Sequence, residues 1–249
     1  MAKIPLTVLT MASDITPGFK VFTDTCDRFG IEPLVFGMGV PFGGLSTKPK
    51  KLQRALRSIK GLVLFADSYD VALAGTVDDI LERYYKIPKK SSLVFAAEKR
   101  CFPVEPWLLD YPPCPTPWKY LNCGGIIGQA EELIELMERS GIQGWHNMQN
   151  DQLYFTHAFL FGQNQTVTPP PVSLDYNCEL FQCLWDTADQ IDYNGFDKKP
   201  CIINKVTGTK PVVMHANGVT DPNGVDLKQT LDFLERTNPR QLTSPAHWP

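Results

Sequence analysis

The sequence predicts an α/β fold in which a mostly parallel central sheet is flanked by helices. Three observations carry that expectation. Strand-like apolar runs alternate with helical periodicity through the first half of the chain, as expected of a doubly wound sheet. The run Gly61-Leu62-Val63-Leu64-Phe65-Ala66 has the continuous apolar character of a buried strand and ends abruptly at Asp67 and Asp70. The 249 residues are 43% hydrophobic, enough to bury one large core, so residues 1–249 are read as a single domain.

In order, Pro5 to Thr10 reads as a strand and Gly18 to Phe29 as an amphipathic helix closed by Gly30. Pro33 to Gly37 is a second strand. Lys51 to Ile59 is a second helix, with Leu52, Leu56 and Ile59 on one face. Gly61 to Ala66 is the third strand, Val77 to Tyr85 a helix and Ser92 to Ala97 a fourth strand. The second half is less regular. A loop rich in proline and aromatics, Cys101 to Tyr120, leads into the glycine-spaced strand Asn122 to Gly128 and a helix from Glu131 to Arg139. Asp151 to Phe161 is helical, Pro169-Pro170-Pro171 breaks the chain, and short strands follow at Val172 to Leu174 and Glu179 to Leu184. Pro211 to His215 is the last strand and Leu227 to Arg236 the last helix.

Composition narrows the function classes. A formal charge of -3 with no lysine/arginine block argues against a nucleic-acid surface. The apolar run near the start is too short for a signal-peptide core and no later run reaches membrane-spanning length, so a soluble, cytoplasmic protein without a membrane segment is expected. The seven cysteines include no Cys-x-x-Cys pair and read as reduced, mostly apolar fillers.

A strand delivers its last side chains to the sheet edge where open α/β sheets bind ligands, which places Asp67 and Asp70 in a crevice. Paired oxygen ligands there suit a hard divalent cation, and such a cation suits a phosphate-bearing substrate. Asp-Ser-Tyr-Asp equally suits a polar turn capping the next helix. A phosphatase of the haloacid dehalogenase type also carries acidic residues after an apolar strand, but two residues apart, where Asp67 and Asp70 are three apart.

Several segments in order resemble one family. They are Leu6-Thr7-Val8-Leu9-Thr10, Phe65-Ala66-Asp67-Ser68-Tyr69-Asp70-Val71 with Ala74-Gly75, Ala97-Glu98 with Cys101-Phe102-Pro103, and Tyr120 to Gly128. Asn150-Asp151-Gln152-Leu153-Tyr154-Phe155-Thr156, Leu174-Asp175 with Phe181-Gln182, and His215-Ala216-Asn217-Gly218-Val219-Thr220 complete the set. Together they resemble the glycosyltransferase domain of the lysyl hydroxylases (procollagen-lysine dioxygenases), a GT-A-like, Rossmann-related fold with a smaller irregular acceptor-side region. The resemblance implies a UDP-glucose or UDP-galactose donor, Mn2+, and a protein or glycan hydroxyl acceptor, such as hydroxylysine or galactosylhydroxylysine of collagen-like chains. None of the four histidines begins a His-x-Asp/Glu iron motif, so lysyl hydroxylation is not expected of this chain.

The same resemblance implies the site. Asp67, Asp70 and His215 are the manganese ligands, a donor set that suits manganese better than calcium or a thiolate zinc site. Lys51, ahead of Lys50 and Lys48, supplies a second positive charge at the diphosphate. Thr10, Ala12 and Ser68 border the nucleotide, and Phe42 stands where the family places a tryptophan that stacks on uracil. Asn122, Gly124, Gly125, Asn150, Gln152 and Gly218 line the donor site. Asp151, Asn217 and Glu98 carry the chemistry, with Asp151 binding donor-sugar hydroxyls or acting on the acceptor hydroxyl. The chain departs from the family at the acceptor end, with Phe102 in place of tryptophan and Met148-Gln149-Asn150 in place of a longer acidic run. A nucleotide-sugar-binding protein without transferase activity is the alternative those departures favour.

Overall fold

The structure is a computed structural model and describes residues 5–41, 43–44, 47–141, 150–162, 168–197, 199–218 and 226–237. Its centre is a six-stranded sheet in the order β2-β1-β3-β6-β5-β7. The strands are β1 (Leu6–Met11), β2 (Leu34–Phe36), β3 (Leu62–Ala66), β5 (Val94–Glu98), β6 (Tyr120–Gln129) and β7 (Ser173–Leu174). β1 pairs in parallel with β2 and β3, and β5 with β7; β6 runs antiparallel between β3 and β5.

The apolar run of β3 reflects burial on both faces. Val63 and Phe65 share a core with Leu52 and Leu56 of α2 (Thr47–Leu56), Leu133 and Leu136 of α4 (Ala130–Arg139), and Tyr154 and Phe155 of α5 (Asp151–Phe161). Leu62, Leu64 and Ala66 join a second core with Phe22 and Cys26 of α1 (Pro17–Arg28) and Ile80 and Tyr84 of α3 (Val77–Lys86). Alternate residues point to opposite helical layers, which is the physical content of a doubly wound sheet.

Caps define the helix starts. Thr16 accepts from the Phe19 N–H at 3.2 Å ahead of Pro17, and Thr76 forms a reciprocal box with Asp79. The expected helices appear with ends moved by a few residues; α2 moves most, starting at Thr47 rather than Lys51.

Four elements were absent from the sequence reading: β4 (Val71–Leu73), the two strands of a hairpin and a short 3-10 helix. β4 pairs antiparallel with β11 (Val213–His215), which pairs in parallel with β8 (Phe181–Cys183), forming a second sheet in the order β4-β11-β8. β9 (Ile191–Asp197) and β10 (Lys199–Asn204) form a hairpin, and Glu105–Leu109 form a short 3-10 helix inside the long loop. Ala72, Met214, Leu184, Ile191 and Ile202 make a third, smaller core with Leu231, Phe233 and Leu234 of α6 (Lys228–Thr237). Among the described residues no helix is long and apolar enough to cross a membrane.

Candidate active site

Two pairings create the site. β3 carries Asp67 off its end, and β4 starts immediately after Asp70 in antiparallel register with β11, so that Val71 lies opposite His215. The Ala216 N–H closes this junction on the Asp70 carbonyl at 2.8 Å. One oxygen of Asp67, one of Asp70 and a ring nitrogen of His215 therefore lie within 4.8 Å of one another.

β6 makes room for them. Between the pairs Phe95↔Ile126 and Ala96↔Asn122, residues Cys123–Gly125 leave the ladder with β5 as a bulge that stays on β3, the Asp67 N–H donating to Gly124 O at 2.9 Å. A Cβ on Gly124 would sit 2.3 Å from His215 Cε1 and 2.9 Å from an Asp67 carboxylate oxygen, so only glycine admits both side chains.

The electrostatics follow from burial and pairing. Burial disfavours the His215 imidazolium, but the Asp70 carboxylate 3.2 Å from Nε2 overrides it and holds the pKa well above the ordinary histidine value. Burial likewise pushes Asp70 up, and His215 more than offsets this, leaving the carboxyl below its usual range. Asp67 is raised by burial against the pull of Lys48, with the Asp70 charge adding to the rise. A metal ion would replace the His215 proton as the counter-charge to the two carboxylates.

Lys48, not Lys51, is the lysine in the site. Its Nζ lies 2.9 Å from Asp67 Oδ1 and 2.6 Å from Asp151 Oδ2, and its pKa stands well above the usual value because those charges outweigh burial. Lys51 lines neither of the two cavities described below, and its buried Nζ has no hydrogen-bond partner among the described residues. α2 starts at Thr47, earlier than expected, which puts Lys48 in its first turn.

Two cavities meet at Lys48, Asp67 and Asp70. One, of about 560 Å³, runs past Ser68, Tyr69, Met11, Ser13, Asp14 and Thr16. Thr10 and Ala12 are buried and absent from its wall: the Thr10 hydroxyl donates to Ala66 O at 2.7 Å and the Ser68 hydroxyl to Met11 O at 2.7 Å, pinning the exits of β1 and β3 together. Tyr69 Oη accepts from the N–H groups of Ser13 and Asp14 at 2.8 and 3.2 Å. Gly18 lets α1 approach this turn, since a Cβ there would fall 2.0 Å from the Tyr69 carbonyl oxygen. Phe42 lies outside the described residues.

The other cavity, of about 400 Å³, is walled by Glu98, Asn122, Gly124, Asn150, Asp151, Gln152, His215, Asn217 and Gly218, with Arg100, Phe102 and Trp185. Its hub is Glu98. Oε1 accepts from Asn122 Nδ2 at 2.9 Å and Gln152 Nε2 at 2.6 Å, and Oε2 accepts from Asn217 Nδ2 at 2.9 Å. Burial still raises its pKa to about 7 against those three donors. The amides also hold backbone: Asn122 Oδ1 accepts from Gly124 N–H and Gln152 Oε1 from Cys123 N–H, which fixes the bulge. Asn150 caps α5 by accepting from the Gln152 N–H at 2.8 Å, leaving Asp151 in the first turn facing Lys48. Gly125 is spent on packing, because a Cβ would fall 2.6 Å from the Phe181 ring.

Asp67, Asp70, His215, Glu98, Asn122, Gly124, Asn150, Asp151, Gln152, Asn217 and Gly218 thus converge. Sequence reasoning missed Tyr69, Ser13, Asp14, Arg100 and Trp185. Tyr69 lay between the two aspartates and was readable; the others reach the cavities from loops with no periodic signal.

Comparisons with known proteins identify the family and the fold. The model of the family described as the PLOD GT domain matches residues 2–237. The chain is 31% identical over 229 residues to procollagen-lysine,2-oxoglutarate 5-dioxygenase 1 of Rattus norvegicus, covering 86% of this chain and 30% of that protein. It is 28% identical over 252 residues to the multifunctional procollagen lysine hydroxylase and glycosyltransferase LH3 of Pongo abelii, covering 96% of this chain and 32% of the relative. The chain therefore spans about a third of the length of these relatives. The crystal structure of a galactosyltransferase, LgtC, in complex with donor and acceptor sugar analogs superposes with a TM-score of 0.54 at 13% identity, covering 97% of this chain and 98% of that one. The fold is GT-A-like, and the chain belongs to the PLOD GT domain family of glycosyltransferases.

Proposed function

We propose that this protein transfers glucose or galactose from a UDP-sugar to a hydroxyl acceptor, with Mn2+ held by Asp67, Asp70 and His215. The observation that carries the reading is the position of Asp67 and Asp70 at the junction of two cavities, with His215 beside them in the smaller one, where a diphosphate on one side would meet a sugar and acceptor on the other. Two carboxylates, one imidazole and a neighbouring glycine with no side chain in the way fit the cation. When bound, it supplies Lewis-acid stabilisation of the charge that develops on the departing diphosphate.

The chain's own groups do the rest. Lys48 adds a positive charge beside Asp67 and holds the Asp151 carboxylate, orienting it toward the cavity as a partner for a donor-sugar or acceptor hydroxyl. Thr10 and Ser68 act indirectly, by fixing the strand exits under the nucleotide. Glu98 is a positioning residue: it holds Asn122, Gln152 and Asn217 in one network. The names of the relatives support hydroxylysine or galactosylhydroxylysine of collagen-like chains as the acceptor.

The test is UDP release from UDP-glucose and UDP-galactose with and without Mn2+. Release should require the metal and fall at least about a hundredfold in Asp67→Ala and Asp70→Ala. Turnover that survives both substitutions overturns the metal assignment, and metal-dependent UDP-sugar binding without release or transfer would instead make this a binding protein.

A further inference from the structure

Lys48 is shared between two carboxylates. Its Nζ donates to both oxygens of Asp67, at 2.9 and 3.2 Å, and lies 2.6 Å from Asp151 Oδ2. The Lys48 side chain is 15% exposed and that of Asp151 only 6%, so these charges meet where water screens them little.

Asp67 is at the same time one corner of the trio with Asp70 and His215. Because the ammonium reaches both Asp67 oxygens, a cation that takes either one takes an acceptor of Lys48. Two positive charges drawn to one carboxylate repel each other. Lys48 does not simply leave, since its backbone lies in the first turn of α2 and Asp151 holds its side chain from a second helix. A diphosphate changes the balance. Lys48, Asp67 and Asp70 border both cavities, so an anion lying at their junction meets the ammonium and the trio together.

We infer that Lys48 competes with the divalent cation for Asp67, and that the donor's diphosphate relieves the competition by offering the ammonium another anion. Cation and nucleotide then bind as a coupled pair, each raising the other's affinity by the same factor. This inference rests on the transferase reading and names how filling of that site is regulated.

The experiment titrates Mn2+ into the full chain by calorimetry, with and without UDP, so that no sugar transfer enters the readout. In Lys48→Met the Mn2+ Kd without UDP should fall about tenfold, and the factor by which UDP tightens Mn2+ should shrink about tenfold. A lysine that only supported the site would give the opposite sign, a weaker metal. Lys48→Arg keeps the charge and should stay close to the intact protein. Removing one positive charge favours any cation, so Lys48→Met is also combined with Asp151→Asn, which leaves the net charge unchanged. The gain in Mn2+ affinity should persist there, and this pair leaves no extra unpaired carboxylate to impair folding. In the intact protein uridine, which lacks the phosphates, should leave the Mn2+ Kd where it is while UDP lowers it.

An unchanged or higher Mn2+ Kd in the charge-balanced variant overturns the inference, as does a UDP effect of full size without Lys48 or uridine that acts as strongly as UDP. Mn2+ binding that is absent, or indifferent to Asp67→Ala, overturns the metal assignment and this inference with it. Coupled binding of Mn2+ and UDP without UDP release from a UDP-sugar upholds the inference and overturns the transferase reading alone.

Discussion

The two ends of the cleft are built on different principles. At the nucleotide end, charged groups face one another across strand exits: Asp67 with Lys48, Asp70 with His215. In the smaller cavity, one buried carboxylate, Glu98, is surrounded by neutral amides, and Arg100, Phe102 and Trp185 complete the wall. The opposed charges at the first end suit the cation and diphosphate proposed for it. The amide network at the second end is already satisfied by Glu98, so it sets the shape of that end. Rigid strands carry the general chemistry and loops carry the particular substrate.

Three measurements would break or sharpen that contrast. The largest effect concerns Glu98. Its folded pKa of about 7 lies above the ordinary 4.5, so the folded state binds its proton more tightly than the unfolded chain does. Its stabilising contribution is therefore complete below the unfolded value and is lost as pH rises through the folded one, on the order of 3 kcal/mol across that window. Urea unfolding near pH 5 and pH 8 should show the intact protein losing that much more stability than Glu98→Gln. The raised Asp175 pKa, about 6, acts in the same direction in both proteins and cancels. Matching pH slopes would mean that the network does not depend on the Glu98 proton.

Gly124→Ala comes next, since it drives a methyl group between His215 and Asp67. The Mn2+ Kd, read by titration calorimetry, should rise on the order of tenfold to a hundredfold. An unchanged Kd would remove the bulge from the account of the metal site. The smallest effect is that of Tyr69→Phe, which takes the acceptor away from the Ser13 and Asp14 N–H groups at a solvent-exposed position. Donor KM should rise about fivefold with acceptor KM unchanged. A shift in acceptor KM instead would show that the two ends are mechanically joined.

Much of the fold was legible because its signals are local. β3 read as a strand because a short continuous apolar run marks burial on both faces, and α1, α3 and α4 read as helices because each has one buried face and a helical period. β4 escaped because three apolar residues after a turn carry no period, although its pairing with β11 is what brings His215 to Asp70. The β9–β10 hairpin escaped because Asp192, Asn194, Gly195 and Asp197 make it polar, and its inward residues Ile191 and Ile202 find their core only against α6. Which lysine of α2 reaches Asp67 and Asp151 depends on how the helix docks against the sheet, which no local pattern sets.

By itself the sequence determined the α/β class and the strand-end carboxylates, because apolar periodicity is a property of the chain, and its resemblance to a family named most residues of the cleft. Only the tertiary structure decided that β6 runs antiparallel and bulges at Cys123–Gly125, and that Lys48 is shared between Asp67 and Asp151. Those outcomes depend on contacts between segments far apart in the chain, such as Glu98 with Asn217 and His215 with Asp70. Their energies exist only once the strands have paired, so no local pattern along the chain encodes them.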